Sequence, residues 1–243
     1  MNGLWASNEC GTHAYGFLAG HTTRRRYPVR VIVPGHVGVR NVKWVEQIVA
    51  SAEEAQGPWQ RGIAYKGFSP SVKSFEGIDV SAILSMQEMP VQSTIVFPAP
   101  PHPSKAKSTG RAPSMTPDFV VEDGDDSVSV KGWAYSGGGR GIARVDVSAD
   151  GGRTWHTAEL GEGSEQNPRR AWAWTFWEID VPLPKPARAG DPPLELCCRC
   201  TDASYNVQPE RPEPFWNKRG LNNNAWHRVV VPVVDEAPNK NSP

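Results

Sequence analysis

The chain has 243 residues, which is enough for one large domain or two small ones. Its 26 basic and 26 acidic side chains give a formal net charge of zero, which argues against a nucleic-acid or charged membrane-binding surface. The 23 glycines, 23 prolines and 10 tryptophans favour short strands and many turns over helices. No run has the length of a membrane span, and residues 1–20 lack the pattern of a secretory signal.

Residues 1–26 differ in composition from the rest of the chain. They mix Gly, His, Thr and Cys without periodicity, and we predict a disordered or non-native segment. A strand follows over residues 29–33, and Pro34-Gly35 ends it in a turn. The region 27–97 continues through loops to a short strand at 93–97. Residues 98–117 are rich in Pro, Ser and Lys, which predicts an exposed linker.

A second region spans residues 118–234 and has strands at turn-separated intervals. Val128 and Val130 alternate with polar residues, which is typical of half-buried strands. Asp150-Gly-Gly supplies the positive backbone angles of a tight turn. Further strands are predicted over 172–179, 194–200 and 226–231. About 110 residues of short strands fit an immunoglobulin-like sandwich, and residues 235–243 read as a frayed tail.

Several features have a structural interpretation that outweighs a functional one. The run Gly137-Gly-Gly-Arg-Gly141 is followed by a strand and not a helix, so we interpret it as a turn and not a phosphate loop. Trp172 and Trp174 share one strand face and are expected in a core or an interface. Cys197, Cys198 and Cys200 have the wrong spacing for zinc or disulfides and are expected to be structural thiols.

Three groups of residues are candidates for a functional site. Arg30, Arg40 and Lys43 surround a Pro-Gly turn and could bind an anionic phosphate, although the residues alone favour ordinary surface charges. Tyr65 lies in a loop and could present its phenol to a pocket, or it could be a packed loop tyrosine. Lys218 and Arg219 fall in a loop at one end of the sandwich, where function often resides.

Several unusual motifs occur together in one order along residues 27–233, and in that order they resemble sulfite oxidases. The motifs are Tyr27-Pro-Val-Arg30 with Asn41-Val-Lys-Trp44, Tyr65-Lys-Gly-Phe-Ser-Pro70, Met89-Pro-Val-Gln-Ser93, Ala134-Tyr-Ser-Gly-Gly-Gly-Arg140, Asp150-Gly-Gly-Arg-Thr-Trp155, Asn206-Val-Gln-Pro209, Trp216-Asn-Lys-Arg-Gly220 and Ala225-Trp-His-Arg228. The resemblance implies a mainly β chain. It consists of the C-terminal fragment of a mixed α+β molybdopterin domain and an immunoglobulin-like dimerisation domain that forms homodimers.

The resemblance also implies roles for individual residues. Arg30 and the three consecutive residues Asn41, Val42 and Lys43 correspond to positions that contact the molybdopterin cofactor. Tyr65 corresponds to the tyrosine beside the molybdenum, which assists coupled proton and electron steps. Arg219 corresponds to an arginine of the sulfite/sulfate pocket. The implied reaction is the two-electron oxidation of sulfite to sulfate with oxygen derived from water.

This sequence departs from the family pattern in two places. The family has His-Gly just before the first motif, where this chain has Arg25 and Arg26, so one cofactor contact is altered. The cysteine that binds molybdenum lies upstream in the family and has no counterpart here, and Cys10 does not replace it. We therefore expect no metal ligand in this sequence, and we interpret it as a truncated chain with an unrelated segment between Gly3 and Tyr27.

Two alternatives stay open at this stage. Eukaryotic nitrate reductase shares both domains, although Tyr65-Lys66 and Lys218-Arg219 fit sulfite oxidase better. A non-catalytic dimerisation module would explain the missing cysteine. The electron acceptor is unknown, and haem b is implied only if a cytochrome domain lies upstream. Family analogy favours the mitochondrial intermembrane space over the peroxisome, since the ending Asn241-Ser-Pro243 is not a peroxisomal signal.

Overall fold

A computed structural model describes residues 3–7, 17–19, 29–45, 47–52, 54–98 and 121–234. Cys10, most of the predicted linker and the tail from residue 235 lie outside the described residues. None of the helices in these ranges has the length and apolar character needed to cross a lipid bilayer. Within the same ranges, no three His, Cys, Asp or Glu side chains cluster so that they could hold a metal ion.

The described residues are mainly β, as the sequence predicts. The strands are β1 (Gly3–Ser7), β2 (Phe17–Ala19), β3 (Arg30–Ile32), β4 (Gln47–Ser51), β5 (Gln92–Phe97), β6 (Val121–Glu122), β7 (Ser127–Tyr135), β8 (Ile142–Ser148), β9 (His156–Thr157), β10 (Glu159–Leu160), β11 (Thr175–Pro182), β12 (Leu194–Asp202), β13 (His227–Val231) and β14 (Val233–Val234). Three short 3-10 helices cover Gly38–Arg40, Ile63–Tyr65 and Val80–Ala82.

The chain forms two compact units, and neither is continuous in sequence. The first unit comprises residues 1–90, 137–139 and 211–223, and the second comprises residues 91–136, 140–210 and 224–243. Strand β5, which closes the first region in the sequence analysis, pairs with β7 in the second unit. Conversely, two short excursions of the C-terminal region, residues 137–139 and 211–223, belong to the first unit.

The second unit is a sandwich of two four-stranded sheets, with strand orders β10-β11-β7-β5 and β13-β12-β8-β9. All neighbouring strands in these sheets are antiparallel. Strand β7 alternates buried and more exposed residues, because one side of the pleat faces the core. Its inward residues Val128, Val130 and Ala134 meet Val145, Leu196 and other apolar side chains between the sheets. The predicted immunoglobulin-like sandwich is confirmed.

Two glycine-rich turns are placed as the sequence predicts. Gly138 and Gly139 have φ values of 68° and 72°, which glycine adopts without strain, and they connect β7 to β8 in the opposite sheet. The Asp150 carboxylate closes the next turn by accepting the Thr154 amide at 2.9 Å and the Thr154 hydroxyl at 2.8 Å. Burial alone would raise the pKa of Asp150, but these bonds and one from Ser148 lower it to about 2.

The three strand cysteines are free and buried thiols. Cys198 and Cys200 lie in the sandwich core, whereas Cys197 is on the other side of β12, with its Sγ 3.2 Å from the Arg228 guanidinium. Burial raises the pKa of Cys197 to about 11 and that of Cys198 to about 12. A thiol is reactive as its thiolate, so these cysteines have the structural character that their spacing predicts.

The first unit has little apolar core among its described residues. Val31 and Val42 form its buried cluster, with Val33, Val45 and Ile48 packed against them. Strand β3 pairs with β2, and β4 pairs with β1, each in a two-stranded antiparallel sheet. From residue 54 to residue 90 the backbone is irregular, with only 3-10 helices and isolated bridges. This segment carries the Tyr65 loop.

Candidate functional site

Arg30 and Lys43 lie side by side in the first unit. The Val31 amide donates to the Val42 carbonyl at 2.7 Å, and the Val45 amide donates to the Val29 carbonyl at 3.0 Å. These bonds make Arg30 and Lys43 partners in an antiparallel bridge. Two residues that are 13 positions apart in sequence thus present neighbouring cations, as an anion-binding site requires.

The Arg30 side chain has a buried hydrogen-bond donor for which the described residues provide no acceptor. That donor is the Nε atom, which has no hydrogen-bond partner among the residues that the structure describes. A buried donor without a partner costs roughly 1–3 kcal/mol, and an anionic ligand oxygen would relieve that cost. Lys43 is exposed, with its ammonium 4.5 Å from the centroid of the Trp44 ring. These residues therefore fit an anionic part of the molybdopterin cofactor that the resemblance implies.

Asn41 and Val42 contribute differently from the two cations. The Asn41 amide closes the turn after β3, since its Oδ1 accepts from the Val33 amide at 2.8 Å and its Nδ2 donates to the Val37 carbonyl at 3.4 Å. The Val42 side chain is 2% exposed and packs on Val31. Any ligand contact of Val42 would have to be made by its backbone.

Arg40 is not part of a surface anion cluster, which corrects that interpretation of the sequence. Its side chain is fully buried. Its Nε and Nη2 atoms donate to the Met86 carbonyl at 3.1 and 2.8 Å, and Nη1 donates to the Trp59 carbonyl at 3.2 Å. The physical reason is that an irregular buried backbone needs donors, and a guanidinium supplies several in one plane.

Tyr65 ends a 3-10 helix directly beside Arg40. The Arg40 guanidinium carbon lies 5.8 Å from the centroid of the Tyr65 ring, and the Trp59 ring meets it edge-on at 6.2 Å. The Met86 amide fixes the backbone by donating to the Tyr65 carbonyl at 2.9 Å. The ring is therefore held on two sides and by its own backbone.

Lys66, next to Tyr65, is a second buried cation that sequence analysis did not single out for burial. It is 1% exposed, and its ammonium donates to the Ile83 carbonyl at 2.5 Å. Burial lowers the pKa of Lys66, and the nearby Arg40 and Arg61 charges lower it further, while Glu54 opposes the change. Lys66 thus anchors the Tyr65 loop to the segment that ends at Met86.

Arg219 reaches the same loop from the excursion 211–223. Its Nη2 atom donates to the carbonyl of Ala64, the residue before Tyr65, at 3.3 Å, and the guanidinium is otherwise exposed. Its neighbour Lys218 donates to the Lys73 carbonyl at 2.6 Å. The structure therefore brings Arg219 next to Tyr65, although 154 positions separate them in sequence.

Asn217 builds the loop that presents Arg219, and sequence analysis missed its role. The residue is 4% exposed, and its Oδ1 accepts from the amides of Arg219 at 3.1 Å and Leu221 at 3.2 Å. Gly220 follows with a φ of 64°, which suits glycine. An Asn three residues before a Gly is a turn signal that could have indicated this.

Two family models of molybdenum-cofactor oxidoreductase domains match this chain. Residues 84–234 match the family model "Mo-co oxidoreductase dimerisation domain", and residues 22–59 match "Oxidoreductase molybdopterin binding domain". The chain belongs to the Mo-co oxidoreductase dimerisation domain family. Its relatives within that family include sulfite oxidases.

Three curated relatives illustrate the similarity. Mitochondrial sulfite oxidase of Homo sapiens is 46% identical over 85% of this chain and 33% of the relative. Sulfite oxidase of Arabidopsis thaliana is 37% identical over 88% of this chain and 49% of the relative. Nitrate reductase [NAD(P)H] of Hordeum vulgare is 32% identical over 85% of this chain and 22% of the relative, so it is a more distant homologue. The chain spans about a third of the length of the animal relatives.

A solved structure supports the fold. The sulfane dehydrogenase SoxCD from Paracoccus pantotrophus superposes with a TM-score of 0.63, covering 93% of this chain and 54% of that one. Sequence identity is 21%, so this likeness concerns the fold alone.

Proposed function

We propose that this chain is part of a sulfite oxidase-type molybdenum enzyme that oxidises sulfite to sulfate. The observation that carries the proposal is the convergence of Arg219 on the Tyr65 loop, in the same compact unit as the unpartnered Arg30 donor. The 46% identity to human sulfite oxidase supports the same substrate class. Nitrate reductase is the second enzyme candidate, and its lower identity of 32% makes it the weaker one.

The cofactor contacts in this proposal come from one small region. Arg30 and Lys43 would hold the anionic part of molybdopterin, while Asn41 shapes the turn between them and Val42 would offer backbone groups. When bound, the cofactor would supply the two-electron oxidation chemistry, with oxygen derived from water. The protein contributes binding, orientation and charge.

The substrate is an oxyanion, and Arg219 suits it. A guanidinium stays charged at all relevant pH values and donates two parallel hydrogen bonds to adjacent oxygens. Its bond to the Ala64 carbonyl uses Nη2, and the residue is exposed, so the other guanidinium N–H groups can donate to sulfite. The Tyr65 Oη can hold or release the proton that accompanies each electron, since its ring is fixed by Trp59 and Arg40.

A binding experiment tests the role of Arg219. Isothermal titration of sulfite into the full chain, produced in cells that make molybdopterin, should show affinity at least about tenfold weaker in Arg219→Gln, because a charge-assisted bond is worth about 1.5–3 kcal/mol. Arg188→Gln, an exposed arginine of the second unit, is the matched control. Equal sulfite affinity in wild type and Arg219→Gln would refute the assignment.

Cofactor content tests the other half of the proposal. Molybdenum and pterin assays on the purified chain should show less bound cofactor in Arg30→Gln than in the Arg188→Gln control. Absence of cofactor from every variant, including wild type, would favour a non-catalytic dimerisation module. Tighter binding of nitrate than of sulfite would favour the nitrate reductase alternative.

We also propose that the second unit forms a homodimer and that the protein is mitochondrial. The match of residues 84–234 to a dimerisation-domain model supports the homodimer. The similarity to the mitochondrial sulfite oxidases of Homo sapiens and Drosophila melanogaster supports the compartment. Sedimentation velocity of the full chain at several concentrations tests the dimer, and a monomer throughout would contradict it. Fluorescent tagging in cells tests the compartment, and exclusion from mitochondria would contradict that part.

A further inference from the structure

Gln208, in the motif Asn206-Val-Gln-Pro209, takes no part in the site described above. It follows β12 and comes shortly before the excursion 211–223, which carries Arg219. The residue is 4% exposed, and its side chain makes hydrogen bonds through both its oxygen and its nitrogen. Burying an amide costs free energy unless its hydrogen bonds are made. The partners of Gln208 therefore show which parts of the chain it holds together.

The side-chain oxygen of Gln208 is bound to the sandwich. Its Oε1 atom accepts from the Ser93 hydroxyl at 2.7 Å and from the Cys200 amide at 2.9 Å. Ser93 lies on β5 and Cys200 on β12, which are strands of opposite sheets. Ser93 is itself 3% exposed, and its Oγ atom lies 3.3 Å from the Cys198 thiol. The Gln208 side chain is thus fixed to both sheets.

The side-chain nitrogen of Gln208 binds the chain where it returns from the excursion. Its Nε2 atom donates to the Asn224 carbonyl at 3.0 Å and to the Ala225 carbonyl at 3.2 Å. Two further bonds join the same two stretches. The Trp226 amide donates to the Pro209 carbonyl at 3.0 Å, and Trp226 Nε1 donates to the Gln208 carbonyl at 3.1 Å. The chain before the excursion is therefore fastened to the chain after it.

A buried carboxylate fixes the turn that leads into Gln208. Asp202 accepts from the Asn206 amide at 3.0 Å and from the Asn206 side-chain nitrogen at 2.9 Å. The Ser136 hydroxyl donates to the same carboxylate at 2.7 Å, and Arg140 Nε donates at 3.1 Å. Burial alone would raise the pKa of Asp202, but the bonds from Asn206 and Ser136 lower it. Residues from both ends of the glycine-run motif thus support the backbone that presents Gln208.

We propose that Gln208 is a positioning residue for Arg219: by joining the two ends of the excursion, it limits the conformations that the excursion can take. This inference rests on the proposed role of Arg219 in binding sulfite. A loop whose ends are held together has less conformational freedom, and a pre-ordered group loses less entropy on binding. Asn217 orders the excursion around Arg219, and Gln208 closes its base. Gln208 itself touches no substrate in this proposal.

Isothermal titration of sulfite into the full chain, produced in cells that make molybdopterin, tests the positioning role. Gln208→Met keeps a side chain of similar length and removes its amide. We expect sulfite affinity about three- to tenfold weaker, which is the cost of ordering a freed segment and is smaller than the loss in Arg219→Gln. Hydrogen exchange of the Trp226 amide should be faster in Gln208→Met, because its bond to the Pro209 carbonyl opens more often.

Ser93→Ala is the matched control. It removes one bond to Gln208 from the side of the sandwich and leaves the bonds of Nε2 to Asn224 and Ala225. The melting temperature should fall in Ser93→Ala as in Gln208→Met, whereas sulfite affinity and exchange of the Trp226 amide should equal those of wild type. Circular dichroism melting establishes that each variant is folded.

Asn224→Ala tests the same role without altering Gln208. It removes the bond from Asn224 Nδ2 to the Val91 carbonyl at 2.9 Å, which ties the returning chain to the residue before β5. Asn224 is only half-buried, so this variant decides the matter if Gln208→Met does not fold. We expect weaker sulfite affinity than in wild type, with a smaller loss than in Gln208→Met.

The outcomes separate this inference from the proposed function. No sulfite binding by wild type, or equal affinity in wild type and Arg219→Gln, refutes both together. A loss in Arg219→Gln that is absent from Gln208→Met and Asn224→Ala refutes the positioning role alone. An equal loss in Ser93→Ala also refutes it, because the effect would then come from the stability of the sandwich. Weaker binding in Gln208→Met with wild-type binding in Ser93→Ala supports the role of Gln208.

Discussion

In the second unit, buried valines, Leu196 and Trp177 from two sheets meet in one apolar layer. The described part of the first unit buries few apolar side chains: Val31 and Val42 form one small cluster, and Val37 and Phe68 are buried outside it. The first unit instead has two buried cations, Arg40 and Lys66, bound to backbone carbonyls. The sandwich is stabilised by area removed from water, and the loop region by directional hydrogen bonds to a fixed set of acceptors. The difference shows that buried cations, by donating to backbone carbonyls, can fix an irregular backbone in which site residues lie.

The largest effect that this comparison predicts is on the sandwich core. Leu196→Ala should lower the free energy of unfolding by about 3–4 kcal/mol, because Leu196 is fully buried and the site cannot collapse between two sheets. Chemical denaturation followed by circular dichroism measures this. Val230→Ala, on an exposed position, should cost less than about 0.5 kcal/mol. Equal effects of the two substitutions would contradict the account of the core.

A somewhat smaller and local effect is expected in the first unit. Arg40→Met removes the donors of the Met86 and Trp59 carbonyls and should lower local stability there by about 2–3 kcal/mol. Hydrogen exchange should show faster exchange of the Met86 amide and unchanged exchange of the Val147 amide in the sandwich.

The control for Arg40 is Arg61→Met, which removes a half-exposed arginine paired with Glu54 at 3.7 Å in the same unit. It should change exchange of the Met86 amide by less than about 1 kcal/mol, as exposed ion pairs do. Accelerated exchange throughout the sandwich in Arg40→Met would contradict a local role.

The smallest effect concerns pH and a turn of the second unit. The pKa of Asp150 is lowered to about 2 from an ordinary value of 3.8, so its stabilisation is fully present above pH 4 and is lost as pH falls through 2. The gain is about 1–2 kcal/mol once solvent screening of this partly exposed group is allowed for. Asp150→Asn should therefore flatten the loss of stability between pH 5 and pH 2, as measured by urea denaturation. An unchanged pH dependence would show that other carboxylates govern it.

The sequence predicts the sandwich better than it predicts the site. Alternation in β7 and the Asp150-Gly-Gly turn depend on local geometry, so Val128, Val130 and the hairpin are placed correctly. The alternation of apolar and polar residues does not show which face of a strand packs on the core. The sequence therefore could not decide whether Trp174 lies in the core or in an interface. The burial of Arg40 and Lys66 was not predicted, for a different reason. A charged side chain is expected to be exposed, and the carbonyls of Met86 and Ile83 that allow these two to be buried are distant in sequence. The closeness of Arg219 to Tyr65 likewise depends on tertiary folding, and only the family motifs anticipate it.

The discontinuity of the two units has a consequence for how such enzymes can diverge. The excursion 211–223, with Asn217 and Arg219, is encoded within the stretch that matches the dimerisation-domain model, yet it belongs to the first unit. A gene segment exchanged between relatives at the start of that match would therefore carry the proposed substrate arginine along with the sandwich. With the roles proposed above, oxyanion preference and choice of oligomer partner would be exchanged together, whereas Tyr65, upstream of the exchange point, would stay behind.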